Sequence, residues 1–279
     1  MVEKIESTEE TQDAKRGTKN VVYFVGAGPG DVELITLKGM RLLEQADTII
    51  YAGSLINPVL LALNRKADLV DSSRLCLDDI IKIMVKENRR GRKVVRLHSG
   101  DPSLFGAIKE QIARLGQAGV SARVIPGVSS LAAAAAALPV ELTVPGVSQT
   151  VIITRAAGRT PAPEREDISS LAEHQAAMAI FLSAGLAAKV QAKLERHYPP
   201  ETPVAVVQRA SWPDEKIIRT RLAQLAAAMK KEGINSTAII LVGAALEQKG
   251  DESMLYAGDF SHGFRKGREP GRRNGKAEA

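Results

Sequence analysis

The chain has one cysteine, Cys76, in 279 residues. That excludes an internal disulfide and makes a cysteine-ligated metal site untenable, which fits a reducing compartment. Histidines number four, His98, His174, His197 and His262. They are too far apart in sequence for metal-ligand spacing, so no protein-bound metal is expected. Aromatic residues make up 4%, and no aromatic-basic cluster of the kind that binds nucleic acid is visible outside the tail. The longest purely apolar stretch, around 131–138, is far too short to span a bilayer. The first residues carry Glu3, Glu6, Glu9, Glu10 and Asp13 and lack an apolar centre, so no signal peptide is expected. No Ser-His-Asp or Cys-His set for nucleophilic catalysis is apparent.

The length is enough for two α/β domains or one large one. Net charge is +6 and unevenly placed. Residues 262–279 hold six Lys and Arg against two acids, whereas 1–19 hold four positive and five negative groups. Such a tail is either a nucleic-acid contact or a solvated extension; with few apolar residues it cannot fold alone, which favours the extension.

Glycine is where the chain is rich. Three turns stand out: Gly26-Ala27-Gly28-Pro29-Gly30-Asp31, Ser99-Gly100-Asp101-Pro102-Ser103 and Pro126-Gly127-Val128-Ser129-Ser130. Each follows a β-branched run and precedes a helical pattern. In an α/β sheet such turns gather at the carboxyl edge of the strands, where ligands bind. Without Cβ atoms they let a ligand approach the main chain. A dinucleotide fingerprint needs glycine at position 31, where this chain has Asp31, and Pro29 removes an amide donor. No Gly-Lys-Ser/Thr follows, so a phosphate loop is disfavoured too.

Hydrophobic periodicity gives a βα rhythm. Strands are expected at 20–26, 47–51, 67–71, 93–98 and 122–125, with helices at 33–46, 77–90, 103–117 and 128–138. Pro145 and Gly146 mark a linker. Beyond it come strands at 148–154, 177–183, 203–210, 215–220 and 237–243, with helices at 185–196 and 221–232. The Trp212-Pro213-Asp214 turn predicts a hairpin and therefore a mixed second sheet. The expected organisation is a disordered extension at 1–19, α/β domains at 20–141 and 142–249, and a C-terminal extension with basic tail at 250–279. The fold class is α/β, two domains with the ligand cleft between them.

Taken together, the three turns and three later segments are specific. The later ones are Ile180-Phe181-Leu182-Ser183, Ala210-Ser211-Trp212-Pro213-Asp214-Glu215-Lys216 and Ala238-Ile239-Ile240-Leu241-Val242-Gly243. In this order they resemble the tetrapyrrole methylase family, which uses S-adenosylmethionine (SAM) as methyl donor. The segments Tyr51-Ala52-Gly53-Ser54-Leu55, Glu141-Leu142-Thr143-Val144-Pro145, Gln149 to Arg155 and Ala157 to Pro161 are similar to the branch acting on ring carbon 11 of precorrin-4 or cobalt-precorrin-4 in cobalamin biosynthesis.

The resemblance implies a cytoplasmic homodimer with SAM between two α/β domains. It implies a cofactor pocket lined by Pro29, Ser99, Gly100, Asp101, Leu104, Ser129, Ser130, Leu182, Ser183, Ala210 and Ala238. For Asp101 a plainer role stands beside this one, capping a helix that starts near Ser103. An anionic tetrapyrrole needs cations, and arginine matches carboxylates with a planar fork. Arg155, Arg159, Arg209 and Arg219 are the candidates. No catalytic base is assigned, since the sulfonium leaving group needs no proton. Rival readings are uroporphyrinogen-III methylation, an RNA methylase of the same fold, and a tetrapyrrole carrier without SAM.

Overall fold

A computed structural model describes residues 20–158, 160–247, 250–251 and 253–267. The expected N-terminal extension, Arg159 and the tail from position 268 lie outside the described residues. The chain divides into two compact units. The first runs to Ala137 and takes in Arg209–Lys216 as well. The second comprises Leu138–Gln208 and the chain from Ile217 onward.

The first unit holds five parallel strands in the order β3-β2-β4-β1-β5. They are β1 (Val21–Gly26), β2 (Thr48–Tyr51), β3 (Asp68–Asp71), β4 (Val94–His98) and β5 (Ser121–Ile125). β4 is buried along its whole length, as a central parallel strand must be. Its side chains alternate between two cores. Val95 and Leu97 join Val25, Leu43, Ile49 and Leu60 on one face. Val94 joins Val22, Phe24, Ile50, Met84 and Leu115 on the other. Each fully buried Leu or Ile contributes ~1.5–3 kcal/mol relative to exposure.

The first face is covered by α1 (Leu37–Glu44) and α2 (Pro58–Ala62), the second by α3 (Leu77–Arg89) and α4 (Ile108–Gln117). These placements follow from right-handed crossovers. β1 to β2 to β3 runs one way along the sheet, and β3 to β4 to β5 runs back. The connections after β1 and β4 therefore leave to opposite faces. Since these two strands are neighbours, the carboxyl ends of β1 and β4 form a topological switch point. α5 (Ser130–Ala137) follows β5.

The second unit has a mixed sheet in the order β6-β7-β10-β8-β9. Its strands are β6 (Val151–Arg155), β7 (Ala177–Phe181), β8 (Pro203–Gln208), β9 (Lys216–Arg221) and β10 (Ala238–Val242). β6 and β7 are parallel, and β10 is antiparallel to both β7 and β8. β8 and β9 are neighbours, as the turn residues predict. α6 (Ile168–Ala172), α7 (Ala187–Leu194) and α8 (Leu225–Lys231) pack Ile168, Val190, Leu194, Leu225 and Met229 on Met178, Ile180, Val204, Val206 and Ile240.

Four helices depart from the sequence expectation. The helix predicted at 33–46 is a 3-10 turn at Val32–Leu34 followed by α1, because Thr36 stops the first and caps the second, its Oγ1 accepting from Gly39 N at 3.1 Å. The helix predicted from 103 starts at Ile108. Phe105 and Ala107 hold left-handed φ values of +56° and +49°, and a helix cannot pass through them. Asp101 therefore caps no helix at Ser103. α2 and α6 were not predicted at all. Each has five residues, too few to show a helical period.

Candidate active site

The switch point brings the first two glycine turns into direct contact. Gly28 N donates to Gly100 O at 3.3 Å, and Gly100 N donates to Gly28 O at 2.8 Å. The third turn closes on both. A Cβ built at Gly127 would lie 2.2 Å from Gly100 O and 2.8 Å from Gly26 Cα. Gly127 is thus glycine for backbone-to-backbone packing rather than ligand access. Gly100 differs: its φ is +63°, and a Cβ there would meet nothing nearer than Ser130 N at 3.8 Å and Ser129 Cα at 3.9 Å. A Cβ at Gly100 would rest in ordinary van der Waals contact with the Ser129-Ser130 backbone, so this glycine answers to its positive φ rather than to crowding.

Asp101 ties the turns together. Its Oδ1 accepts from Ser103 N at 2.8 Å and from the Ser103 hydroxyl, and its Oδ2 accepts from Gly127 N at 2.9 Å. Partial burial works to raise the Asp101 pKa. The bonds from the Ser103 hydroxyl, Gly127 N and Ser103 N outweigh it and hold the carboxyl below its ordinary value. Leu104 N closes the turn on Asp101 O at 3.2 Å. Ser129 Oγ accepts from Leu131 N at 3.2 Å and so caps α5. Ser99 is exposed, Pro29 is buried, and Ser130 is half-buried.

Behind the second turn, β4 carries two buried polar side chains. Arg96 donates from Nη1 to Ser72 Oγ at 2.9 Å and from Nε to Gln111 Oε1 at 3.3 Å. Burial brings its pKa down to about 10. His98 stacks on Phe24 with ring centroids 5.8 Å apart. Burial first, then the charge on Arg96, lowers its pKa to about 3. His98 is neutral at physiological pH, and its Nε2 finds no hydrogen-bond partner among the described residues. His98 is thus a packed core histidine.

The first turn is also held from two distant segments. Asn57 Nδ2 donates to Gly30 O at 2.9 Å, while its Oδ1 accepts from Val59 N at 3.0 Å and caps α2. Trp212 Nε1 donates to Pro29 O at 2.9 Å. Ser211 Oγ accepts from Asp31 N at 3.0 Å. A Cβ at Gly30 would fall 2.1 Å from the Trp212 ring. The sequence reading assigns nothing to Asn57 and places Trp212 in the turn of the expected hairpin. The Asn57-Pro58 pair, an N-cap followed by proline at the first helical position, is the signal that could have located α2. Ala210 is buried between Arg209 and Ser211, whose φ values are +51° and +65°.

In the second unit, Leu182 follows β7 and Ala238 opens β10. The register pairing Ile240 with Ile180 carries these two residues alongside each other. Leu182 is 71% exposed with φ +53°, an apolar side chain presented to the outside on a backbone that leucine seldom adopts. Ser183 is wholly buried: its Oγ accepts from Ala156 N at 2.8 Å and donates to Phe181 O at 2.7 Å. Its hydroxyl is spent on shaping the turn.

The arginine candidates are not gathered in one place by their bonds. Arg155 donates to Ala156 O, Thr160 O and Pro161 O at 3.3, 3.3 and 2.8 Å. Arg219 donates to Leu138 O at 2.6 Å. Arg209 is paired with Asp214 at 2.7 Å and lies 4.0 Å over the Trp212 ring. Arg155 and Arg219 bond only carbonyls in these contacts, so their charge is not neutralised there as that of Arg209 is. Among the described residues no three His, Cys, Asp or Glu side chains cluster as a metal site, and no helix is long and apolar enough to cross a membrane.

Known proteins share this arrangement along most of the chain. The cobalt-precorrin-4 C(11)-methyltransferase of Methanocaldococcus jannaschii is 56% identical over 248 residues, 88% of this chain and 96% of that protein. The X-ray structure of a cobalt-precorrin-4 methyltransferase, described as a cobalamin biosynthetic enzyme, is 46% identical with a TM-score of 0.79, covering 81% of this chain and 95% of that one. The uroporphyrin-III C-methyltransferase of Thermus thermophilus, solved in complex with S-adenosylhomocysteine, is 29% identical with a TM-score of 0.69, covering 83% and 95%. The model of the tetrapyrrole (corrin/porphyrin) methylases matches residues 21–226. With the glycine turns meeting at the switch point and relatives matched nearly end to end, this chain belongs to the tetrapyrrole methylases.

Proposed function

We propose that this chain transfers a methyl group from SAM to carbon 11 of cobalt-precorrin-4 in cobalamin biosynthesis. The observation that carries the reading is the 56% identity, nearly end to end, with a relative of that activity. The glycine-turn geometry suits the methyl donor. The Gly100 turn, with Ser129 and Ser130 at the start of α5 beside it, offers main-chain amides to a carboxylate. The anionic Asp101 turn offers negative charge to an ammonium. We assign cofactor contacts to Pro29, Ser99, Gly100, Asp101, Leu104, Ser129, Ser130 and Ala210. Leu182 and Ala238 are assigned apolar contacts, and Ser183 contributes through the turn it holds.

SAM supplies an electrophilic methyl on a sulfonium, which departs without a proton. The nucleophile is an electron-rich ring carbon. The residues named need only orient both partners and keep water out. Proximity and alignment alone contribute about 7–11 kcal/mol in well-positioned systems. We assign no general base at the glycine turns: His98 is buried with its pKa lowered to about 3, a weak proton acceptor, and Asp101 is committed to Ser103 and Gly127.

For the substrate carboxylates we assign Arg155 and Arg219 ahead of Arg209, because Asp214 already answers the charge of Arg209. Arg159 remains a candidate on sequence alone. We further propose a cytoplasmic homodimer, on the family resemblance.

Incubation with cobalt-precorrin-4 and methyl-labelled SAM, followed by NMR of the product, tests the reading. Label at carbon 11 is expected. Label on uroporphyrinogen III instead, or on the cobalt-free ring alone, would reassign the substrate.

A further inference from the structure

Three main-chain polar groups of the Pro29-Gly30-Asp31 stretch described above are engaged by side chains from elsewhere in the first unit. Trp212 takes the Pro29 carbonyl, Asn57 takes the Gly30 carbonyl and Ser211 takes the Asp31 amide. Two of these three belong to Arg209–Lys216, about 180 residues away in sequence. That loop is itself braced. Arg209 lies over the Trp212 ring and pairs with Asp214, and Glu215 Oε2 accepts from Ser211 N at 2.7 Å. Arg209 and Ser211 both hold left-handed φ values that residues with side chains seldom adopt. Such strain persists only where the surroundings over-determine it, and it gathers at ligand clamps.

We propose that Trp212, with Ser211, is a positioning residue for the methyl donor: the indole N–H and the serine hydroxyl clasp the first glycine turn and so fix Pro29 relative to Ala210. Both ends of the clasp carry a residue assigned to the cofactor above, and the proposal rests on that assignment. The ring also fills the space beside Gly30, where a Cβ would fall 2.1 Å from it. A pocket whose walls are held in advance loses less freedom when the ligand enters, which strengthens binding without any contact between Trp212 and the ligand.

Calorimetry with S-adenosylhomocysteine on the full chain, comparing wild type with Trp212→Phe and Ser211→Ala, tests this. Phenylalanine keeps a ring beside Gly30 and removes the N–H. Each variant loses one hydrogen bond to the turn, and Kd is expected to rise about tenfold. The KM for SAM should rise in parallel, while kcat at saturating SAM and the KM for the tetrapyrrole stay within about twofold, since neither hydrogen bond reaches the reacting atoms. A merely structural role would lower the melting temperature and leave Kd alone. Folded variants that bind with wild-type Kd overturn the proposal. Should Trp212→Phe fail to fold, Ser211→Ala decides by the same measurement. A wild-type chain that binds no S-adenosylhomocysteine overturns the cofactor assignment and this proposal together. Wild-type binding with both variants unaffected overturns this proposal alone.

Discussion

Asp101 is a charge held in place by donors on both sides. Its oxygens accept from two groups of Ser103 and from Gly127 N. In Asp101→Asn the amide nitrogen either faces the Gly127 N–H or turns away and gives up the Ser103 bonds. Loss of one such exposed or part-buried bond costs about 0.5–1.5 kcal/mol. The expected outcome is a loss of that size in urea unfolding, together with S-adenosylhomocysteine affinity at least about tenfold weaker. Wild-type affinity in a folded Asp101→Asn would remove the charge from the cofactor's surroundings. His98 gives a second expectation, in pH. Its folded pKa of about 3 lies below the ordinary 6.5. Below pH 6.5 the unfolded chain takes up a proton that the folded chain refuses, so this stability is present above 6.5 and is lost as pH falls toward 3. Each pH unit in that window removes up to about 1.4 kcal/mol for this one group. His98→Gln has no such proton to take up, so its stability should fall less steeply between pH 6.5 and 4.5 than that of wild type. Equal slopes in denaturant titrations would contradict the burial argument.

At the scale of elements, three strand-to-helix turns meet at one edge, and their glycines do different work. Gly127→Ala drives a Cβ into the Gly100 carbonyl and the Gly26 backbone, neither of which can swing aside as a side chain would. Destabilisation of about 3 kcal/mol or more is expected. Gly100→Ala meets only atoms beyond 3.8 Å and suffers chiefly from its φ of +63°, worth about 1–2 kcal/mol. Its added methyl would lie against the Ser129-Ser130 backbone, beside the proposed cofactor contacts. The pair should therefore separate stability from binding: Gly127→Ala melts earlier, whereas Gly100→Ala stays folded and loses S-adenosylhomocysteine. Calorimetry and thermal melting on both proteins check this, and a Gly100→Ala that binds normally would show that the cofactor does not approach Gly100. Strand positions were legible in advance because β-branched runs bounded by glycine leave little choice. Helix starts were not. Thr36 capping α1, and the left-handed Phe105 and Ala107 delaying α4, depend on where the following turn packs.

At the scale of the molecule, two units with separate cores share one chain, and the first recruits Arg209–Lys216 from beyond Gln208. The proposed homodimer gives a direct check. Sedimentation equilibrium should return twice the 29.8 kDa of one chain, independent of salt over the physiological range. A single-chain mass at micromolar concentration would refute it. The basic tail bears on the RNA reading, whose binding would fall as a power of salt concentration. With 56% identity to a corrin-ring methylase, no such binding is expected.

The order of β-branched runs and glycine turns was enough, by itself, to determine an α/β chain with a mixed second sheet and glycine turns at the carboxyl edge of the first, because periods of two and of about 3.6 residues are local properties. The residues Gly26, Gly100, Asp101, Gly127 and Ser129 were legible for the same reason: turns need those types. What only the tertiary structure decided is how each is used. Gly127 serves backbone packing, the Ser183 hydroxyl is consumed within its own turn, and Arg209 is answered by Asp214. Asn57, Ser211 and Trp212 act on a turn far from them in sequence. A hydrogen bond spanning 183 positions leaves no periodic trace, since it exists only once both partners have been folded into place.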